Sequence, residues 1–148
     1  MPNKQQLEGI SVLVVEDNPD TRDVTEHVLL RYGATVLTAD SATAALRIVE
    51  MSRPDVLLSD IGLPETDGYA LLKKIRELER RKRLAIIPAA AVTAFTSAED
   101  LRKSVAAGFR MHISKPFDID ELITTVASLA GRAPHVSPGD QAKATSNC

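Results

Sequence analysis

Short apolar runs alternate with amphipathic stretches along most of the chain. Residues 10–15 form a compact, β-branched-rich run, the composition of a strand buried on both faces. Asn18-Pro19 then supply a helix cap with proline at the first helical position. Val24 and Val28 carry an apolar stripe toward Gly33, a helix stop. Residues 34–38 predict a second strand, and Ser41 opens a helix with Ala42, Ala45, Leu46 and Val49 on one face. Pro54 ends that helix, and residues 55–59 hold the strand core Val56-Leu57-Leu58. Gly62, Pro64 and Gly68 mark a loop in which Asp67 can cap the next helix, whose Leu71, Ile75 and Leu78 recur at helical spacing.

Residues 85–92 predict a fourth strand, with Pro88 near its start or at a bulge. Ser97 and Asp100 have capping-box spacing ahead of a helix containing Leu101 and Val105, which Gly108 ends. A short fifth strand is expected over 111–113. Asp118 with Glu121 gives another capping signature, before inward-facing Leu122, Val126 and Leu129. Five strands alternating with five helices predict an α/β, doubly wound parallel sheet covered on both faces. Residues 1–8 read as a polar N-terminal extension, 9–131 as one domain, and 132–148 as a flexible, small-residue-rich tail.

Composition narrows the function more than the fold. The 148 residues suffice for one core, and a net charge of -2 provides no general attraction for nucleic acid or anionic lipid. Aromatics are only 3% and Trp is absent, which disfavours a stacking platform for single strands. Glu79-Arg80-Arg81-Lys82-Arg83 reads as a solvated helix end, since basic side chains suit a helix C-terminus. The single cysteine, Cys148, excludes a disulfide within the chain and is compatible with a reducing cytosol. No apolar run approaches the roughly 18 residues of a membrane span, so the expectation is a cytoplasmic protein with no membrane or nucleic-acid partner.

The unusual polar residues gather at strand ends. Glu16-Asp17 follow the first strand, Asp60 the third, Thr93 the fourth and Lys115 the fifth. In a doubly wound sheet the ligand crevice lies outside those carboxyl ends. Each residue alone has an ordinary reading: Asp17 as a cap, Asp60 as a turn residue, Thr93 as strand, Lys115 as surface lysine. Only their joint placement speaks for a site. Like charges about 4 Å apart repel by roughly 4 kcal/mol at an effective dielectric of 20, so three clustered carboxylates need positive charge among them. Lys115 supplies one; a hard divalent ion such as Mg2+ supplies two more. A zinc site is disfavoured, because no Cys/His set has ligand spacing.

Val12-Leu13-Val14-Val15-Glu16-Asp17-Asn18-Pro19 resembles the first strand and acidic pair of the receiver domains of two-component response regulators. The segment from Ser59-Asp60-Ile61-Gly62 through Asp67-Gly68 resembles their phosphoacceptor loop, while Val92-Thr93-Ala94 and Lys115-Pro116-Phe117 resemble the other two signatures. The likeness runs from about Leu7 to Gly131. It implies the flavodoxin-like strand order 2-1-3-4-5. It also implies that Asp60 takes a phosphoryl group from a phosphohistidine on a histidine kinase or histidine phosphotransfer protein. Glu16, Asp17, Asp60 and the Gly62 carbonyl would surround Mg2+, Lys115 and Thr93 would meet phosphoryl oxygens, and Lys115-Pro116 would be cis.

The same resemblance implies a switch in which Thr93 moves toward the phosphoryl group and reshapes the face of the fourth helix, fifth strand and fifth helix. The place usually held by Tyr or Phe is His112, an imidazole that is smaller and titrates near neutrality. Gly62 has no side chain to shield Asp60 from water, which leaves Phe95 as the candidate cover. Leu7-Glu8-Gly9 and Ala107-Gly108-Phe109 with His112 resemble receivers of hybrid histidine kinases, so a free-standing regulator and an excised receiver both stand open. Competing readings are a haloacid-dehalogenase-type phosphatase, which wants an acid where Gly62 stands, and a phosphorylation-independent binding scaffold.

Overall fold

The computed structural model describes residues 5–132; except for Arg132, the expected tail lies outside the described residues, as do residues 1–4 of the expected extension. Strands β1 (Ser11–Val15), β2 (Thr35–Ala39), β3 (Val56–Ser59), β4 (Ala89–Thr93) and β5 (Met111–Ser114) alternate with five helices. These are α1 (Pro19–Arg31), α2 (Ala42–Ser52), α3 (Gly68–Lys82), α4 (Ala98–Ala107) and α5 (Ile119–Leu129). All strand pairs are parallel, in the expected order β2-β1-β3-β4-β5.

The continuous apolar strands follow from burial on both faces. In β1, Val12 and Val14 join one core layer with Val28, Leu122, Ile123 and Val126, while Leu13 and Val15 join the other with Val49, Leu71 and Ile75. Such burial stabilises by roughly 1.5–3 kcal/mol per large side chain. Leu7, within the stretch read as a polar extension, is fully buried in the first layer, and its N–H donates to Tyr32 O at 2.8 Å.

The expected caps form at Asn18, Ser41, Asp67 and Ser97, the last as a reciprocal capping box with Asp100. Asp118 caps α5 through the N–H of Asp120. Three details differ from the sequence pattern. β4 starts at Ala89 rather than at 85. The Ile87 N–H goes instead to the buried Glu79 carboxylate at 2.8 Å, and Pro88, without an N–H, offers only its carbonyl to Leu57. Val24 is 54% exposed, because α1 turns Thr25, Val28 and Leu29 inward. In α4, Leu101 and Val105 are also exposed and Ser104 is the buried residue.

Candidate functional site

The backbone ladders continue just past the strands and thereby aim the polar residues. Glu16 N–H donates to Ala39 O at 3.0 Å, Asp60 N–H to Val15 O at 2.9 Å, and Lys115 N–H to Thr93 O at 3.0 Å. Glu16, Asp60 and Lys115 are therefore each the first residue beyond a rigid strand, Asp17 is the second beyond β1, and Thr93 ends β4. Carboxylate oxygens of Glu16, Asp17 and Asp60 lie within 4.8 Å of one another. The Lys115 ammonium bridges two of them, at 2.5 Å from Glu16 Oε1 and 3.0 Å from Asp60 Oδ2.

The remaining contacts hold this cluster from below and from the sides. Glu16 Oε2 accepts the Asn18 N–H at 3.2 Å, and Arg22 donates to the Glu16 carbonyl at 2.9 Å. Asp60 Oδ1 accepts the Gly62 N–H at 3.3 Å. The Lys115-Pro116 peptide is cis, as expected. Glu16 is buried while Asp17 is exposed, so the three acids form a path from the interior to solvent. Burial, and secondarily the Asp60 charge, raise the Glu16 carboxyl above its ordinary value, outweighing Lys115 and the Asn18 amide. Burial pulls the Lys115 ammonium down, but its hydrogen bonds to Glu16 and Asp60, with their charges, raise it overall.

These donors fit Mg2+: three convergent carboxylates, one buried and held above its ordinary pKa, with a single ammonium against three negative charges. Sequence and structure agree on Glu16, Asp17, Asp60 and Lys115 as one cluster. Thr93 is buried at the end of β4, the neighbour of β3, and its Oγ1 accepts the Phe95 N–H at 3.0 Å. The Phe95 ring approaches Gly62 so closely that a Cβ there would lie 3.3 Å from it. His112 pairs in register with Ala91, on the face of the second core layer; both of its ring nitrogens are buried without a hydrogen-bond partner among the described residues.

Two features escaped the sequence reading. Gly68 opens α3 against the backbone of Asp60 and Ile61, with its N–H donating to Ile61 O at 2.8 Å. Its only sequence signal is a glycine directly after a capping Asp. The second is a mainly apolar groove of about 610 Å³ between α1 and the β5–α5 loop, lined by Val24, Val28, Pro116, Phe117 and Ile119 together with the polar Asp20, Thr21 and Lys115. The exposure of Val24 belongs to this groove.

The chain matches the response regulator receiver domain family over residues 12–127. It is 40% identical over 122 residues to a 14.6 kDa uncharacterized protein of Leptolyngbya boryana, covering 82% of this chain and 91% of the relative. It is 33% identical over 135 residues to hybrid signal transduction histidine kinase D of Dictyostelium discoideum, covering 86% of this chain but spanning only 8% of that kinase. Among solved structures, the receiver domain of a Pseudomonas aeruginosa sensor histidine kinase superposes with a TM-score of 0.74 at 33% identity, covering 83% of this chain and 98% of the other. That protein has a magnesium ion coordinated in its active site cleft.

Proposed function

We propose, from the premise that this chain belongs to the response regulator receiver family, that Asp60 is its phosphoacceptor in a phosphorelay. The observation that carries the reading is the Lys115 ammonium held between Glu16 and Asp60 within a convergent set of three carboxylates. An Asp60 carboxylate oxygen attacks the phosphorus of a partner's phosphohistidine. The P–N bond breaks, its electron pair leaves with the imidazole, and an aspartyl phosphate remains. Mg2+ bound by Glu16, Asp17, Asp60 and the Gly62 carbonyl would neutralise charge on the transferring group. Lys115 exchanges its Asp60 contact for a phosphoryl oxygen, so its charge is in place before transfer and needs little reorganisation.

Thr93 turns its hydroxyl toward the phosphoryl group and releases the Phe95 N–H that it now accepts, which frees the β4–α4 loop. His112 then re-seats beneath α4 as the switch residue, and the face of α4, β5 and α5 changes for a downstream protein. Phe95 over Gly62 slows water attack on Asp60. The groove beside Lys115 suits a helix of the histidine kinase or phosphotransfer protein, whose apolar side chains would cover Val24 and Ile119. The module catalyses only its own phosphorylation and dephosphorylation and works in the cytoplasm.

The test is incubation with Mg2+ and acetyl phosphate. Wild type should gain an acid-stable, base-labile modification that Asp60→Asn does not. Equal labelling of Asp60→Asn would refute the acceptor assignment, and continuous turnover of phosphate esters would make the protein a phosphatase instead.

A further inference from the structure

We infer that the seam between α3 and α4 is a docking groove for an acidic helix of a protein partner. The groove, of about 620 Å³, is lined by Lys73, Arg76 and Arg80 from α3, by Ala106 and Ala107 from α4, and by Tyr69 and Asp67 toward one end. Lys73, Arg76 and Arg80 stand at i, i+3 and i+7 and so form one cationic row about 10 Å long. Arg76 is paired with Glu79 at 2.8 Å, whereas Lys73 and Arg80 have no ion-pair partner among the described residues. The carboxylate of Asp67 is occupied by the Ala70 N–H at the start of α3. Lys73 and Arg80 therefore stand as two unpaired cations on either side of the Arg76–Glu79 pair, with the Asp67 carboxylate toward one end of the groove.

The opposite wall favours a helix over a looser anion. Ala106 and Ala107 present only methyl groups, which let a helical backbone lie close in the seam. Carboxylates spaced by three or four residues on such a helix would match the cationic row in pitch. The groove is separate from the apolar one beside Lys115 and shares no lining residue with it.

The probe is a synthetic, fluorescently labelled Ala-Glu helical peptide with Glu at i, i+3 and i+7, read by anisotropy at about 50 mM salt, where surface charge is weakly screened. The Lys73→Glu/Arg80→Glu double variant should weaken binding by at least about tenfold relative to wild type. Lys74→Glu/Arg81→Glu makes the same charge change outside the groove and should retain most of the binding. Ala106→Phe, at an exposed position, should block the seam with no change of charge. Asp60→Asn should bind the peptide like wild type, so failure here and failure of the phosphoacceptor reading are distinct. The inference is overturned if wild type does not bind, if both double variants weaken binding equally, or if Ala106→Phe binds like wild type. A DNA duplex that binds through Lys73 and Arg80 where the peptide does not would reassign the groove to nucleic acid.

Discussion

Gly68→Ala is a one-methyl change with a large expected effect. A Cβ at Gly68 would fall inside van der Waals contact of the Asp60 carbonyl oxygen, 3.0 Å from Ile61 Cα and 3.2 Å from the Asp60 carbonyl carbon. All three neighbours are backbone, so no side-chain rotation relieves the clash. Either α3 withdraws, loosening the fully buried Leu71 and Leu72, or the peptide after the phosphoacceptor moves. Overpacking of this kind costs about 1–3 kcal/mol, and stretching the Gly68 N–H bond to Ile61 adds about 1 kcal/mol. Alanine's better helix propensity returns less than about 1 kcal/mol. A net loss near 2 kcal/mol corresponds to a Tm lower by about 5–10 °C for a domain of this size. Gly62→Ala is the control, since its Cβ meets only the half-exposed Phe95 ring at 3.3 and 3.5 Å, which can swing outward. Thermal denaturation followed by circular dichroism reads both variants, and calorimetric titration with Mg2+ reads the displaced Asp60 as weakened binding. A Gly68→Ala melting point within about 1 °C of wild type would show that the close approach carries no strain.

Four other outcomes are expected. Because the Glu16 carboxyl lies above its ordinary 4.5 in the folded protein, the folded state binds its proton more tightly, and stability falls as pH rises from 4.5 through the raised value. Glu16→Gln should remove that slope and raise the metal-free Tm at pH 7; a lower Tm there would contradict the dominance of burial. The raised Lys115 ammonium instead contributes stability that persists below 10.5 and is lost at higher pH, as chemical denaturation across the alkaline range can measure. Gly62→Arg should alter the lifetime of the aspartyl phosphate, measured by decay of label after donor removal; an unchanged lifetime would sink the shielding role of this position. Val24→Asp should slow transfer from a phosphohistidine protein severalfold while leaving labelling by acetyl phosphate unchanged, and equal slowing with both donors would place its effect in the fold rather than in docking.

Much of the site was legible before any coordinates because a parallel sheet converts sequence order into position. Buried strands must be apolar throughout, so an acid or lysine directly after one stands out and is delivered to the same sheet edge as its counterparts. Glu16, Asp17, Asp60 and Lys115 meet there. The family motifs supplied the strand order and the cis Lys115-Pro116 bond, which periodicity alone does not specify.

Chain sequence by itself determined which segments are strands and helices, where caps fall, and which polar residues reach the carboxyl edge; these depend on neighbours a few residues away. Tertiary structure decided the rest. The start of β4 depends on Glu79 claiming the Ile87 N–H, a contact set by how α3 folds back. The outward turn of Val24, Leu101 and Val105 depends on which face of α1 and α4 meets the sheet, and both helices offer apolar residues on more than one side. The tight approach of Gly68 to Asp60, the Lys115 bridge and the cationic row beside Ala106 and Ala107 join elements separated in sequence. Distances of that kind arise from packing, which local pattern constrains only through the fold it selects.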